Sequence, residues 1–131
     1  MTIADDRLRP PPGAREAGPE LNLDLGATLR ALRAEPHPPT QGHRQISIVH
    51  RGPLRLVLFA FDAGGHLPEH RAPGLVTILA LRGRLRVRTP GTVHELETGQ
   101  AVLLDPDIPH DVEAPVESDM LLAVHLLEPR G

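Results

Sequence analysis

The chain has 131 residues, which is enough for one domain with a substantial buried core, and it contains no cysteine, which excludes disulfide frameworks, thiolate metal sites and cysteine nucleophiles. The formal net charge of -3 argues against a nucleic-acid partner, and the absence of lysine excludes Schiff-base chemistry. No apolar run approaches the roughly 20 residues that span a bilayer, and the N-terminal residues lack the apolar segment of a signal peptide, so we expect no membrane partner and a cytoplasmic location.

The first 42 residues differ in composition from the rest of the chain. Residues 1–20 are rich in proline, glycine and charge, which predicts a disordered tail. Within residues 21–42 we predict one short helix with Asp24 as its N-cap, followed by a loop. The apolar face of this helix consists of Leu25, Leu29 and Leu32.

From residue 43 to the end, short apolar runs alternate with turn signals. This spacing is typical of an all-β sandwich or barrel, so residues 43–131 are predicted to form one β-barrel domain. The segment DAGGHLPEHRAPG (62–74) is interpreted as a loop. The predicted strands are ISIVH (46–50), LRLVLFAF (54–61), LVTILALR (75–82), RLRVRT (84–89), TVHELE (92–97), AVLLD (101–105), HDVEA (110–114) and MLLAVHLL (120–127).

For one predicted hairpin, the pairing register of the two strands can be assigned residue by residue. If Pro90 and Gly91 form the turn, Arg86 lies opposite Glu95 and Val87 lies opposite His94. One face of the hairpin is then apolar, and the other carries complementary charges. We therefore predict a solvated outer face rather than a phosphate site for the arginine row. The same register pairs Arg84 with Glu97 and Leu85 with Leu96, and it extends the row to Arg88.

Two motifs built from glycine and histidine follow one another along this region. The first runs from Gly64 through His70 to Gly83, and the second runs from Gly99 to His110. Their spacings resemble the two cupin motifs, usually G-x5-H-x-H-x3-E-x6-G and G-x5-P-x-G-x2-H-x3-N, without any insertion. The resemblance covers most of the chain and fits small single-domain bacterial barrels of the "cupin 2" kind. It implies an all-β, cupin-type double-stranded β-helix, a jelly-roll-like barrel, preceded by one short N-terminal helix.

The resemblance also implies a metal site that has lost half of its ligands. Metal-bearing cupins hold Fe, Mn, Ni, Cu or Zn with three histidines and one glutamate. Carried over position by position, His70 and His110 match the first and third of these histidines. Ala72 and Val76 occupy the positions of the second histidine and the glutamate. Because stable sites use three or more protein ligands, the resemblance implies a reduced site for one divalent transition metal.

Other side chains are candidates for rebuilding that site. His66 lies four residues before His70, and His94 falls on the inner face of the predicted hairpin. Asp105 and Asp107 precede His110 and would supply the carboxylate of a site with two histidines and one carboxylate. Asp107 stands where the family has glycine, and aspartate tolerates the left-handed backbone that such a turn requires. The glycines of the two motifs are expected at positive φ for the same reason.

Apolar residues are expected to line the barrel interior, either as packed core or as the wall of a ligand pocket. Three functions remain open: a protein that binds a small organic ligand with a reduced metal site, a metal-dependent oxygenase or isomerase with a rebuilt site, and a structural or partner-binding barrel. The motif spacing is kept, whereas two of the four metal-ligand positions are changed. This combination favours the protein that binds a small organic ligand. No catalytic residue is assigned, and the resemblance implies a homodimer that pairs through its sheets. The lining candidates are Ala72, Val76, Ile78, Ala80, Phe59 and Phe61.

Overall fold

The fold is a barrel of two antiparallel sheets, seen in a computed structural model that describes residues 18–127. The five-stranded sheet has the order β1-β2-β9-β4-β7, and the four-stranded sheet has the order β3-β8-β5-β6. This arrangement confirms the predicted all-β jelly-roll barrel with one short helix. The elements are α1 (Leu25–Arg33), β1 (His43–Arg51), β2 (Leu54–Phe61), β3 (His66–His70), β4 (Gly74–Arg82), β5 (Arg84–Thr89), β6 (Thr92–Glu97), β7 (Ala101–Leu104), β8 (His110–Glu113) and β9 (Ser118–Leu126).

The inner faces of the two sheets enclose the main core. Alternate residues of each strand point inward, as the period of two in a pleated strand requires. The buried core residues are Val57, Phe59, Phe61, Val76, Ile78, Ala80, Leu85, Val87, Leu96, Leu104, Val112, Ala114, Met120, Leu122 and Val124. The barrel interior is therefore filled by aliphatic side chains and two phenylalanines.

Helix α1 packs on the outer face of the five-stranded sheet. Asp24 is its N-cap, as predicted, and its Oδ1 accepts a hydrogen bond of 2.9 Å from the backbone N–H of Ala27. Leu29 and Leu32 are buried in a second apolar cluster with residues of β1 and β2. The predicted tail over residues 1–20 lies almost entirely outside the described residues. Within the described part of the chain, no helix has the length and apolar character needed to cross a membrane.

A group of ionic side chains joins α1 to the barrel. Asp119 is buried, and its two oxygens accept from Arg33 Nη1 at 2.8 Å and from Arg82 Nε at 3.0 Å. Arg33 Nη2 also donates to the carbonyls of Phe61 and Ser118. The carboxylate of Asp119 thus connects the last turn of the helix with β4 and β9.

We expect the substitution Asp119→Asn to destabilise the protein by about 1–2 kcal/mol, because it removes the charge of a buried carboxylate that accepts from two partly exposed arginines, Arg33 and Arg82. Urea unfolding near neutral pH measures the change. The control is Glu95→Gln, since Glu95 pairs with Arg86 at 2.7 Å but is largely exposed, and its loss should leave the unfolding midpoint almost unchanged. Equal losses in the two variants would contradict this assignment.

The predicted hairpin register is confirmed. Arg86 pairs with Glu95, and Val87 pairs with His94, in the β5–β6 ladder. The arginine row lies on the outer face of the four-stranded sheet, where Arg86 also contacts Glu113 at 2.8 Å. These ion pairs account for the row without any phosphate ligand.

Strand β3 corrects the interpretation of residues 62–74 as a loop. His66–His70 pairs with β8, with a register irregularity between Leu67 and His70. Pro68 and the neighbouring glycines are strong turn signals, so the sequence alone predicts a loop here rather than a strand. The strand tolerates Pro68 because β3 is at the edge of its sheet, where a missing N–H costs no ladder bond on the open side.

Candidate functional site

His70 and His110 meet where β3 pairs with β8. They are direct partners in the ladder, and their ring centroids lie 4.2 Å apart with the ring planes inclined at 61°. Two residues separated by 40 positions are thus brought into contact by the register of one edge strand. The structure therefore brings together the two histidines that match the cupin ligand positions.

The two rings are held by the same kind of backbone hydrogen bond. His70 Nδ1 lies 2.9 Å from the carbonyl of Pro68, and His110 Nδ1 lies 2.9 Å from the carbonyl of Ile108. Because a carbonyl oxygen only accepts, Nδ1 carries the proton in both rings. In each neutral ring, Nε2 is therefore the nitrogen that keeps its lone pair.

His110 Nε2 is a buried acceptor that no described residue satisfies. The residue is 1% exposed, and its Nε2 has no hydrogen-bond partner within residues 18–127. Burial lowers the pKa of His110, and the neighbouring His70 lowers it further, against the opposing effects of the Ile108 carbonyl and Asp111. The ring is consequently held neutral, with its lone pair in a dry environment.

We expect acid to destabilise the wild-type protein through His110. Because the folded-state pKa lies below the ordinary value of 6.5, the unfolded chain takes up this proton first, and stability falls as the pH drops below 6.5. The loss approaches at most about 1.4 kcal/mol per pH unit for one proton. Urea unfolding at about pH 7.5 and about pH 5 should show a smaller acid loss for His110→Gln than for wild type. An equal or larger loss in the variant would contradict the burial of a neutral ring.

The surroundings of the pair are apolar. Val76, at the glutamate position of the family, is 2% exposed, and Ala72, at the second histidine position, is half-buried against the core. Leu67 and Ile108 are partly buried and pack against the same core cluster. A hydrogen bond joins the loop that contains Ala72 to the loop before His110. In this bond the Asp107 N–H donates to the Ala72 carbonyl at 2.9 Å.

The other proposed lining residues lie deep in the packed core. Phe59, Phe61, Ile78 and Ala80 are each 0% exposed. A cavity of about 560 Å³ lies elsewhere, between α1 and β1 on the outside of the barrel. These four residues belong to the buried core cluster of the barrel.

The proposed additional ligands do not join the pair. His66 is exposed and pairs with Glu113, which faces outward with the arginine row. His94 is half-buried opposite Val87, and Asp105 and Asp107 are exposed. Among residues 18–127, no three side chains of the types His, Cys, Asp or Glu form a group able to hold a metal ion. Asp107 has φ of +65°, so it does adopt the left-handed turn conformation expected of it.

The donor set does not fit a resident divalent metal. Structural and catalytic sites for such ions use three or more protein ligands, whereas the described residues offer two imidazoles. The carboxylate that would balance the metal charge is replaced by the methyl groups of Val76. The chemistry that the pair does provide is hydrogen bonding through two lone-pair nitrogens.

The sequence pattern assigned no role to His43, which the structure places inside the barrel. His43 is buried, its Nδ1 donates to the His66 carbonyl, and its ring lies 5.6 Å from each ring of Phe59 and Phe61. Its Nε2 contacts the Gln45 side chain at 3.1 Å. No clear signal in the sequence marks this burial, because His43 is the first of three consecutive polar residues at the start of β1. Its hydrogen bond to the His66 carbonyl fixes the start of β3.

The chain matches the family model of the cupin domain (Cupin_2) over residues 57–126, and a search of curated proteins finds no significant match. Among solved structures, it resembles a conserved protein of unknown function from Streptococcus pyogenes, with 25% identity, a TM-score of 0.63, and coverage of 68% of this chain and 78% of that one. It also resembles an RmlC-like cupin from Desulfovibrio desulfuricans, with 26% identity, a TM-score of 0.58, and coverage of 65% and 83%. A cupin superfamily protein from Desulfitobacterium hafniense shares the fold at 15% identity, with a TM-score of 0.64 and coverage of 70% and 83%. The family match spans more than half of the chain and agrees with the two-sheet barrel, so the chain belongs to the cupin family.

Proposed function

We propose that this cupin binds a small organic molecule beside His70 and His110, without a resident divalent metal. The observation that carries the proposal is the buried Nε2 of His110, which has a fixed tautomer and no partner among the described residues. Buried polar atoms are nearly always satisfied, so an unpaired one marks a place where a partner binds. The neighbouring His70 ring is half-buried, so the pair lies next to the protein surface.

The packed interior limits where a ligand fits. Phe59, Phe61 and Ile78 are fully buried, so the volume below the histidine pair is already occupied by side chains. The ligand therefore lies at the rim, against the half-buried residues Ala72 and Ile108. Such a site takes a compact molecule rather than an extended one.

A fragment screen read by NMR of the histidine rings tests the proposal. We expect bound fragments to shift the ring signals of His110 and His70, and we expect calorimetry to show that His110→Gln weakens binding at least about tenfold. The matched control is His125→Gln, because His125 is exposed on β9. Fragments that bind without shifting the His110 signals, or a screen without binders, would overturn the proposal.

A barrel without small-molecule chemistry is the second candidate, and one observation favours it. The interior is packed with aliphatic side chains, as expected of a purely structural or partner-binding barrel. The same fragment screen separates the two functions, because a structural barrel gives no saturable shift at His110. The metal-dependent oxygenase or isomerase would need a third ligand, which residues 18–127 do not bring to the pair. A cytoplasmic location stays a prediction.

We also propose that two copies pair through the part of the outer face of the five-stranded sheet that β4, β7 and β9 form, beside the part that α1 covers. Neighbouring outward residues on β4, β7 and β9 are uncharged, including Thr77, Leu103 and Ala123, and Leu103 is 63% exposed. Strands that are apolar on both faces are typical of strands buried on both faces. Because the patch carries no charge, two copies of it can face each other across a twofold axis without repulsion between like charges.

Sedimentation measurements of Leu103→Arg test this pairing. We expect the wild-type protein to be dimeric at roughly 100 µM, and we expect the new charge to raise the dimer dissociation constant at least about tenfold. The control is Val93→Arg, because Val93 is 53% exposed on the outer face of β6 in the other sheet. A monomeric wild type, or equal effects of the two substitutions, would contradict the proposal.

A further inference from the structure

We infer that the ligand is a neutral hydrogen-bond donor: a hydroxyl or N–H group that donates to His110 Nε2, carried on a small apolar body that lies against Ala72 and Ile108. This inference rests on the proposed function and specifies the chemical class of the ligand. It departs from the metal chemistry that the motif spacing implies for the same position.

The tautomer of His110 fixes the direction of the hydrogen bond. His110 Nδ1 donates to the Ile108 carbonyl, so in the neutral ring Nε2 can only accept. His70 has the same arrangement toward the Pro68 carbonyl. Two neighbouring lone-pair nitrogens, with ring centroids 4.2 Å apart, select a molecule that brings its own proton.

The described part of the protein offers no other donor for this nitrogen. No side chain or backbone N–H within residues 18–127 reaches His110 Nε2. Arg88, on the adjacent strand β5, is paired with Asp111 at 3.2 Å and with Glu113 at 3.4 Å. A donor for the buried nitrogen must therefore come from outside the described residues, and a bound ligand that supplies it would take the place of a water.

Anions and plain ketones do not suit the site. A carboxylate or a ketone carries only acceptor oxygens, which would face another lone pair at Nε2. Ala72 and Ile108 are partly buried apolar residues at the proposed rim, and an anion would be desolvated there without compensation. A neutral hydroxyl or N–H group has no such cost.

The space beside the rings is apolar. Ala72 and Val76 stand where metal-bearing cupins have a histidine and a glutamate, so both side chains are smaller than the ones they replace. Ala72 is half-buried and packs against the core cluster that contains Val76. The partly buried apolar side chains at this rim suit an aliphatic or aromatic ring that bears the donor.

Matched probes test the donor requirement on the full chain. Each triplet has one donor, its methylated form and a carboxylate without a hydroxyl or N–H donor: phenol, anisole and benzoate; cyclohexanol, its methyl ether and cyclohexanecarboxylate; indole, N-methylindole and N-methylindole-2-carboxylate. We expect the donor of each triplet to bind at least about tenfold more tightly than its methylated form, with the His110 Nε2 signal shifting on binding. The carboxylates should bind most weakly.

Two variants separate the possible outcomes. His110→Leu should abolish the preference for donors over methylated forms, whereas His66→Ala, on the outer side of β3, should keep it. Equal binding of donor and methylated probes, or tightest binding of the carboxylates, would overturn the donor inference while leaving a ligand site at the pair. If no probe and no fragment shifts the His110 signals, the proposed function itself fails, and the donor inference fails with it.

Discussion

The double substitution Ala72→His with Val76→Glu should convert the His70–His110 pair into a tight divalent metal site. Both positions keep the spacing that the cupin ligand set requires, and each is in or against the core around the pair. We expect the dissociation constant for Zn²⁺ or Ni²⁺ to fall from above about 100 µM in wild type to below about 1 µM, because the ligand count rises from two to four. Competition with a chromophoric chelator measures this change.

The same double variant should depend on metal for its stability. Val76 is 2% exposed, so a glutamate there buries a carboxyl group and destabilises the metal-free protein. Metal binding should restore the melting temperature through linkage. The control is Ala72→His with Ile78→Glu, which buries a carboxyl two residues further along β4, away from the ligand position. Because the control still offers three histidines, we expect it to bind metal more weakly than the four-ligand variant. Equal metal affinity in the two variants, or no gain in either, would show that the positional correspondence is wrong.

Substituting Gly83→Ala should destabilise the protein by about 4 kcal/mol. Gly83 has φ of +78°, and a Cβ atom there would lie 2.3 Å from Ser118 Oγ and 2.5 Å from the Glu117 carbonyl oxygen. The left-handed backbone contributes about 1–2 kcal/mol to the cost, and the forced displacement of the packed neighbours contributes about 1–3 kcal/mol. Urea unfolding measures the change.

The control for this substitution is Gly91→Ala in the β5–β6 turn. Gly91 has nearly the same φ, +77°, but a Cβ atom added there would meet no described atom within 4 Å. We expect a loss of about 1 kcal/mol, from backbone strain alone. The difference between the two losses of unfolding free energy gives the cost of the close contact between Gly83 and Ser118. Equal losses would show that the structure relaxes around the added methyl group at no cost.

Most of the fold could be predicted from the sequence because turn-forming residues separate the strands. Runs such as Leu54–Phe61 and Arg84–Thr89 end at Gly and Pro signals, and their bounds agree with β2 and β5. The β5–β6 register followed from one turn and from the opposition of Arg86 to Glu95. In these places local pattern and tertiary pairing favour the same arrangement.

The parts that the sequence did not predict depend on contacts distant in the chain. Strand β3 was missed because Pro68 is a turn signal, and only pairing with β8 makes the segment a strand. His66 was a candidate ligand by proximity to His70, but the register irregularity between Leu67 and His70 interrupts the regular alternation that would place both on one face. The burial of His110 Nε2 without a described partner depends on the packing of both sheets, which no local pattern reveals.

The most direct test of the central claim is elemental analysis of the untagged protein, purified without added metal, beside His70→Ala and His110→Ala. A hydrogen-bonding pair predicts well below about one equivalent of any transition metal in all three proteins, with the wild type folded and able to bind donor probes. About one equivalent of metal in the wild type, lost in both variants, would contradict this claim and establish His70 and His110 as metal ligands.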